Sequence, residues 1–319
     1  MPNRLHRWNP FIIAAVLIVA VPLAIAAFPP EKPYDPRPLM PEAVKKADPN
    51  NYTFLVLGDT RGNAVFKLLM EKAMTHKPSF ALLTGDQVRD GLDKEYDSLD
   101  GQFAPFARTM PLWPCYGNHD ARNPANYEKF FGMTDKRYSF DFHNARFIGV
   151  ESLSNAAAIE KPELEWLEKQ LDEGKKAGKL LFVWMHGPAY SVGEKMEITN
   201  QPCDFTRLCV KYGVTAVFAG HDHIYYRTKR DGVTHMIQGV AGAPIYTIKR
   251  KSFAQRDDVW WGGTGKKQWT LYTPAGGEQV MNIHMFLFTT ITVQGGKVSG
   301  KTLTHDNQPI DEFVLREGK

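Results

Sequence analysis

The chain contains few cysteines, with only Cys115, Cys203 and Cys209 among 319 residues. So small a number excludes a scaffold built on disulfides and a metal site made of thiolates. Cys203 and Cys209 could pair in an oxidising compartment if their Cα atoms lie within about 7 Å of each other. Two reduced thiols are the alternative for this pair, and Cys115 is expected in the core.

A large excess of one charge is also missing. The formal net charge is +4 at pH 7, and no long run of lysine and arginine is present. The sequence therefore gives no signature of nucleic-acid binding. Internal repeats and low-complexity segments are absent too, and 43% of the residues are hydrophobic. One large globular domain is the first expectation.

A hydrophobic run of near-membrane length occurs at the N-terminus. Residues 11–28 carry no charged or strongly polar side chain and follow the basic residues Arg4 and Arg7. The length lies between that of a signal peptide and the about 20 residues of a spanning helix. Because Ala24-Ile25-Ala26 fits a small-x-small cleavage pattern, an export signal is favoured over a membrane anchor.

These features predict three regions in the chain. Residues 1–28 are expected to be a signal peptide or membrane anchor, and 29–50 a proline-rich linker. Residues 51–319 are expected to form the main domain, outside the cytoplasm in the periplasm or the extracellular space. If the N-terminal segment is not cleaved, the membrane is a partner of the protein.

The main region begins with alternating strand and helix patterns. The apolar runs Phe54 to Leu57 and Phe80 to Leu83 flank a helical pattern that ends near Ala73, which predicts a βαβ unit with parallel strands. A hairpin is expected across His143-Asn144. A later helix is expected to open at Pro162. The C-terminal third favours antiparallel strands, and the whole pattern predicts an α/β fold.

Residues 249–280 show no clear periodicity and are expected to be a long irregular segment, which in a compact domain is often functional or mobile. They include the pair Trp260-Trp261, and Tyr225-Tyr226 form a second aromatic pair. Either pair could border a substrate, but packing in the core is the simpler interpretation.

Five short polar segments each follow a β-type apolar run. Ligands bind beyond the carboxyl ends of strands in open α/β sheets, so the five segments are expected to converge. Their carboxylates, amide and imidazoles suit Mn, Fe or Zn. The segments are Gly58-Asp59-Thr60-Arg61-Gly62, Gly85-Asp86-Gln87-Val88-Arg89-Asp90-Gly91, Gly117-Asn118-His119-Asp120, Met185-His186-Gly187-Pro188 and Gly220-His221-Asp222-His223.

Each segment taken alone has a simpler interpretation. Asp59 and Asp86 could be turn formers or helix caps. His186 alone could be a hydrogen-bonded core histidine. His221 and His223 are the least ambiguous pair, because they stand two residues apart directly after a strand and a glycine. Together the five segments favour metal binding.

In order and content the five segments resemble the calcineurin-like phosphoesterase superfamily of metallophosphoesterases, which includes the purple acid phosphatases. The resemblance covers about Tyr52 to Arg230, and Gly239-Val240-Ala241-Gly242-Ala243-Pro244 is similar to exported members. It implies two facing mixed β-sheets flanked by helices, a four-layer α/β/β/α sandwich. It also implies two divalent or trivalent metal ions, Mn, Fe or Zn, and a small phosphate ester as substrate.

The resemblance implies a role for each polar residue. The metal ligands would be Asp59, Asp86, Asn118, His186, His221 and His223, with Asp86 bridging two ions, Asn118, His186 and His221 on one ion, and Asp59 and His223 on the other. His119 would lie near the leaving group and be positioned by Asp120. The implied reaction is attack of a metal-activated hydroxide on a phosphomonoester or phosphodiester, with His119 assisting the leaving group. The alternative is an exported protein on the same fold that binds a phosphate ligand with weak or no catalysis.

Arg61 departs from the family pattern. Many members carry a metal-binding histidine there, and purple acid phosphatases instead supply a tyrosine at the position of Arg89. A guanidinium has no lone pair to offer a metal. Three outcomes stay open: Arg61 binds substrate phosphate beside a weak first site, it replaces the charge of that ion so that only one ion is firmly bound, or it pairs with an acid such as Asp90 outside the site.

Overall fold

The strands of the protein form two mixed β-sheets, seen in a computed structural model that describes residues 33–265 and 268–318. Within these residues the strands are β1 (Asn51–Leu57), β2 (Phe80–Leu83), β3 (Leu112–Trp113), β4 (Tyr138–Phe142), β5 (Ala145–Gly149), β6 (Leu180–Trp184), β7 (Ala216–Ala219), β8 (Tyr225–Arg230), β9 (Val233–Gln238), β10 (Val259–Gly263), β11 (Trp269–Thr273), β12 (Gly277–Met281), β13 (Leu287–Gln294), β14 (Lys297–Thr304) and β15 (Pro309–Arg316). The α-helices are α1 (Met40–Lys46), α2 (Val65–Ala73), α3 (Asp93–Ala107), α4 (Pro124–Phe131), α5 (Lys161–Lys176) and α6 (Asp204–Tyr212).

The two sheets pack face to face. One has the order β15-β14-β13-β1-β2-β3, and the other β12-β11-β10-β8-β9-β7-β6-β5-β4. The ring of Phe54 in the first sheet lies 5.1 Å from that of Phe147 and 5.5 Å from that of Phe182 in the second. Edge-on contacts of this kind add about 0.5–1.5 kcal/mol each to the burial of the rings. Helix α2 contacts β13 and helix α5 contacts β5 and β6, so helices cover the outer faces. The expected two-sheet α/β sandwich is confirmed.

The local patterns near the start of the domain also formed as expected. Strands β1 and β2 pair in parallel, with Phe54 opposite Phe80, and α2 connects them. The β4–β5 hairpin turns at His143, whose φ is 49°. Helix α5 has Pro162 in its first turn, where the missing N–H has no helical partner to lose.

Helix α3 is absent from the sequence-based interpretation. Gly101 and Pro105 lie inside it, and both residues disfavour a helix interior. The helix forms because it buries Leu99 and Phe103 against the rest of the domain. Packing therefore outweighs local propensity here.

The expectation of a long irregular segment over 249–280 was wrong. Strands β10, β11 and β12 pair antiparallel there and form one edge of the larger sheet. The rings of Trp260 and Tyr272 stack across β10 and β11 with their centroids 4.0 Å apart. The glycines at 262–263 hide the alternation that a strand would show. Because Trp260, Trp261, Tyr225 and Tyr226 are all at most 5% exposed, both aromatic pairs belong to the core.

The predicted signal peptide or anchor, residues 1–28, lies outside the described residues. In the ranges that the structure describes, no helix is long and apolar enough to cross a membrane. The expected linker is partly packed structure. Helix α1 lies within it, and Tyr34 is 4% exposed and donates a hydrogen bond to Asp100. The packed domain therefore begins before residue 51.

A disulfide between Cys203 and Cys209 does not fit helix α6. Cys203 is the N-cap of this helix and Cys209 lies in its second turn. A rise of about 1.5 Å per residue separates their Cα atoms by about 9 Å, beyond the reach of a disulfide. Both are free thiols, and Cys115 is buried as expected.

Candidate metal centre

The five polar segments meet at one edge of the sandwich, in the loops that follow β1, β2, β3, β6 and β7. Two glycines permit the close approach. A Cβ on Gly117 would lie 2.3 Å from Asp86 Oδ1, and one on Gly220 would lie 2.2 Å from Asp59 Oδ2. Asp59, Asp86 and His221 have φ values of 55°, 54° and 69°. Such left-handed conformations cost about 1–3 kcal/mol each and tend to cluster at functional sites.

The first part of the site, here called the asparagine half, consists of Asp86, Asn118, His186 and His221. Asn118 Oδ1 lies 3.0 Å from His186 Nε2 and 3.0 Å from His221 Nδ1. The two ring nitrogens are 3.2 Å apart. Asp86 Oδ1 lies 3.4 Å from His186 Nε2. The structure thus brings these four predicted ligands together.

The hydrogen bonds of the two histidines fix which nitrogens carry lone pairs. His186 donates from Nδ1 to the carbonyl of Thr84 at 2.8 Å, and His221 donates from Nε2 to Glu197 Oε1 at 2.5 Å. Burial, together with the neighbouring His186, lowers the pKa of His221 to about 4. His221 is therefore neutral at pH 7. His221 Nδ1 consequently presents a lone pair toward Asn118 Oδ1, and His186 turns Nε2 toward the oxygens of Asn118 and Asp86.

Four oxygen and nitrogen atoms that converge in this way form a donor set that suits a cation. Ligands about 2.0–2.2 Å from one ion, at angles between octahedral and tetrahedral, lie about 3.0–3.5 Å from each other. The observed separations in the asparagine half run from 3.0 to 3.4 Å. The residues present therefore fit a metal ion, and oxygen and imidazole donors suit Mn, Fe or Zn.

The second part of the site, here called the arginine half, consists of Asp59, Asp86, His223 and Arg61. One ligand atom from each of Asp59, Asp86 and His223 lies within 4.8 Å of the others. Asp59 Oδ1 lies 3.4 Å from His223 Nε2. Asp59 also accepts the backbone N–H of His221 at 3.0 Å.

The guanidinium of Arg61 lies inside the arginine half. Its Nη2 donates to His223 Nε2 at 3.1 Å and lies 3.0 Å from Asp86 Oδ2. His223 Nδ1 donates to the carbonyl of Pro244 at 2.8 Å, so its Nε2 is free to accept. Asp90, considered as a partner for Arg61, instead forms ion pairs with Arg89 and Arg122 within the described part of the chain.

His119 lies between the two halves. Its backbone N–H donates to Asp86 Oδ1 at 2.9 Å, and its Nε2 is 3.9 Å from Asp86 Oδ2. Nδ1 contacts the carbonyl of Arg89, which can only accept, and also lies 3.1 Å from Arg61 Nη1, which can only donate. The contact with the carbonyl is the closer one and assigns the proton of the neutral ring to Nδ1. Burial lowers the pKa of His119, although the charge of Asp86 opposes this. The side chain is 15% exposed and can reach a bound molecule.

Asp120 does not hold the ring of His119, and that expected contact has to be corrected. Its buried carboxylate accepts the backbone N–H groups of Gln87 at 3.0 Å, Val88 at 3.4 Å and Gly117 at 3.1 Å. These bonds tie the loop after β2 to the loop after β3. Asp120 therefore positions Asp86 and Asn118 through the backbone, while the carbonyl of Arg89 orients His119.

Sequence reasoning missed the residues that support the ligands from distant loops. Glu197 accepts from His221, and the ring of Tyr246 stacks on His223 with centroids 4.0 Å apart. Lys195 Nζ lies 5.2 Å from the centre of the Tyr246 ring. Neither Glu197 nor Tyr246 stands in a recognisable motif. Only Pro244 lay in a segment that the sequence singled out.

The facing sheets and the ligands at their strand ends define a metal-dependent hydrolase of the metallophosphoesterase class. Residues 39–225 match the family model described as Calcineurin-like phosphoesterase, and the chain belongs to that family. It is therefore a hydrolase that acts on phosphoester bonds.

Acid phosphatases are among the relatives. The chain is similar to tartrate-resistant acid phosphatase type 5 of Mus musculus, at 26% identity over 234 residues, which covers 58% of this chain and 71% of the relative. It is 37% identical over 87 residues to Fe(3+)-Zn(2+) purple acid phosphatase 12 of Arabidopsis thaliana, which covers 26% of this chain and 19% of the relative. The fold is similar to purple acid phosphatase PPD1 from yellow lupin seeds, with a TM-score of 0.63 at 16% identity, over 83% of this chain and 53% of that structure.

Proposed function

We propose that the protein hydrolyses small phosphomonoesters, with His119 as general acid and Arg61 as a fixed positive charge beside the reacting phosphoryl group. The observation that carries the proposal is the position of both side chains beside Asp86, with Arg61 Nη2 3.0 Å and His119 Nε2 3.9 Å from its Oδ2. The names of the relatives, which are acid phosphatases, favour a monoester over a diester.

Asp86, Asn118, His186 and His221 would hold a metal ion. Such an ion supplies Lewis acidity toward a phosphoryl oxygen and lowers the pKa of bound water toward neutrality. The Arabidopsis relative is named for iron and zinc, and Mn also suits this donor set.

Arg61 supplies charge stabilisation. Its side chain is 14% exposed, and Nη1 lies 3.1 Å from His119 Nδ1, the nitrogen that also contacts the carbonyl of Arg89. The guanidinium therefore borders the space beside His119 and Asp86, with its Nη2 3.0 Å from Asp86 Oδ2. In that space it neutralises charge on the oxygens of the transferring phosphoryl group, the usual role of a preorganised cation at such a site.

His119 delivers a proton to the departing alkoxide. Its Nδ1–H is held by the carbonyl of Arg89, so its Nε2 is the atom that takes up and releases the transferred proton. An acid must be protonated to act, and the pKa of His119 lies below its usual value. Activity is therefore expected to fall as pH rises through this lowered pKa, which places the working range on the acidic side of about 6.5.

The experiment compares leaving groups. The full chain, loaded in turn with Mn²⁺, Zn²⁺ or iron, is assayed with para-nitrophenyl phosphate, an alkyl monoester and bis-para-nitrophenyl phosphate. His119→Ala is expected to lower kcat for the alkyl ester by about 10²- to 10⁴-fold. The loss should be smaller for the para-nitrophenyl ester, because para-nitrophenolate leaves without needing a proton.

Two results would overturn the proposal. One is bound metal without hydrolysis of any ester. The other is an equal rate for His119→Ala and the unmodified chain on the alkyl ester. Faster hydrolysis of the diester than of either monoester would replace the monoester assignment alone.

The alternative function is an exported protein that binds a phosphate ligand without turnover. The contact of Arg61 with Asp86 and His223 favours it, since an ordinary two-ion site would need both groups as ligands. In that case inorganic phosphate would bind to the metal-loaded chain and no ester would be hydrolysed.

We also propose that the protein works outside the cytoplasm. The support is the uncharged run 11–28 in the sequence, together with the segment 239–244 that is similar to exported family members. Fractionation of cells that produce the full chain, and of cells that produce a chain lacking residues 1–28, tests this. Equal cytoplasmic recovery of both chains would contradict export.

A further inference from the structure

Arg61 occupies the place of a ligand-bound cation in the arginine half. An ion there would need Asp86 and His223 as ligands. Arg61 Nη2 lies 3.0 Å from Asp86 Oδ2 and 3.1 Å from His223 Nε2. The N–H that points at His223 uses the lone pair that an ion would need. A guanidinium stays protonated at any pH a protein survives. Asp59, Asp86 and His223 alone would suit an ion, but with the guanidinium among them the residues of the arginine half do not fit a second one.

The position of Arg61 is fixed by the backbone around it. Its N–H donates to the carbonyl of Asp86 at 3.1 Å, and the next residue, Gly62, donates to the carbonyl of Gln87 at 2.8 Å. Arg61 itself has a φ of 53°, in the left-handed region. The loop after β1 is thus clamped to the loop after β2, and the clamp directs the guanidinium toward Asp86.

The two halves differ in their balance of donors and acceptors. In the asparagine half, Asn118 Oδ1, His186 Nε2 and His221 Nδ1 face each other and form a set that suits a cation from outside. In the arginine half, the chain supplies the cation itself. Asp59 and Asp86 are both fully buried, and Arg61 already offsets one of their negative charges.

We infer that the protein holds a single metal ion, bound by Asp86, Asn118, His186 and His221, and that the guanidinium of Arg61 stands permanently where related two-metal sites would place the second ion. Asp59 and His223 then act as partners of Arg61 and of the loops rather than as metal ligands. The inference deepens the proposed function and rests on its metal-dependent site.

Metal content tests this without any assay of activity. The full chain is loaded with excess Mn²⁺, desalted and measured by elemental analysis. We expect about one ion per chain for the unmodified protein and about one for His223→Ala. His186→Ala should lose the ion. Arg61→His should hold about two, because it removes the cation and supplies an imidazole in its place.

Electron paramagnetic resonance of the bound Mn²⁺ gives a second readout. The unmodified chain should show the hyperfine pattern of an isolated ion. Arg61→His should show a spectrum broadened by exchange coupling, since two ions bridged by Asp86 would lie about 3.5–4 Å apart. Arg122→His is the matched control, because Arg122 is half exposed and paired with Asp90. It should leave the content at about one ion.

Several outcomes would overturn the inference: two ions or none in the unmodified chain, loss of the ion in His223→Ala, or one ion in a folded Arg61→His. Circular dichroism of each variant establishes that it is folded. The inference and the proposed function fail separately. One ion without hydrolysis removes the function and leaves the inference, whereas two ions with hydrolysis do the reverse.

Discussion

The asparagine half and the arginine half share Asp86 and are built from neighbouring loops, yet they balance charge in different ways. In the first, three side chains turn lone pairs toward one point. In the second, Arg61 places N–H groups where such a point would be. The identity of potential ligands therefore does not decide whether a metal binds. We infer that a metal binds where no cationic side chain already lies among its potential ligands.

The largest effect is expected from a ligand in the asparagine half. His186→Ala removes a fully buried imidazole from the converging set. We expect the ion to be lost and kcat/KM to fall by more than the about 10- to 100-fold that loss of a supporting residue causes. Metal analysis and hydrolysis of para-nitrophenyl phosphate measure both effects. If His186→Ala retained the ion while His223→Ala lost it, the assignment of the two halves would be reversed.

A smaller effect is expected from a residue that supports the ligand His221. Glu197→Gln weakens the acceptor that orients His221, and such partners are worth about 10- to 100-fold in metal affinity. Competition with a chelator gives the affinity. Glu194→Gln is the matched control in the same loop, because Glu194 pairs with Lys249. Equal affinities for both variants would remove Glu197 from the site.

Asp120 tests a feature that the two halves have in common. In the unmodified chain the side chain of Asp120 accepts hydrogen bonds from backbone N–H groups. Asp120→Asn keeps the shape of the side chain but turns an NH₂ group, which cannot accept, toward some of these N–H groups. An unsatisfied buried group costs about 1–3 kcal/mol, so urea unfolding should show a loss of that size. Asp97→Asn, at an exposed position of α3, should change little. Asp120 holds the loop that carries the shared Asp86, so its replacement should disturb both halves. A disturbance confined to one half would contradict this role.

The smallest effect is expected from a buried histidine outside both halves. Burial, followed by the charge of Arg230, lowers the pKa of His235 to about 3. The unfolded chain takes up this proton near pH 6.5, so the stabilisation is complete above that pH and is lost as pH falls toward 3. The unfolding free energy of the unmodified chain should fall between pH 6.5 and 5, and His235→Gln should make this fall smaller by up to about 2 kcal/mol.

Metal content should be the same for His235→Gln and the unmodified chain. This result would show that burial of a histidine is not what distinguishes a ligand. If the unfolding free energy fell equally steeply with pH in both proteins, titratable groups other than His235 would be responsible for the fall.

The sequence is informative wherever neighbouring residues decide the structure. The loops after β1, β2, β3, β6 and β7 follow apolar runs, so strand ends and their polar residues were both predictable. Contacts between distant loops were not. Glu197 reaches His221 across 24 positions, and Arg61 reaches His223 across 162. Asp120 was correctly placed near the site, but its bonds go to backbone groups that no side-chain pattern reveals.

Helix α3 and strands β10 to β12 were not predicted from the sequence, and both cases have a physical reason. Helix α3 contains Gly101 and Pro105 and is stabilised by burial of Phe103, which local propensity does not register. The segment with β10 to β12 pairs strand to strand, and its glycines interrupt the alternation of polar and apolar residues. In both cases the structure is decided by the part of the chain that the segment packs against or pairs with, and not by the segment's own residues.

The spacing of the ligands along the chain governs when the site can come into existence. His221 donates its backbone N–H to Asp59 across 162 positions, and Asn118 meets His186 across 68. Loop closure over such separations requires both sheets to have docked. A ribosome-bound chain that ends before residue 221 cannot assemble the asparagine half. If the asparagine half holds the proposed ion, that ion can enter only after the chain has been made as far as His221.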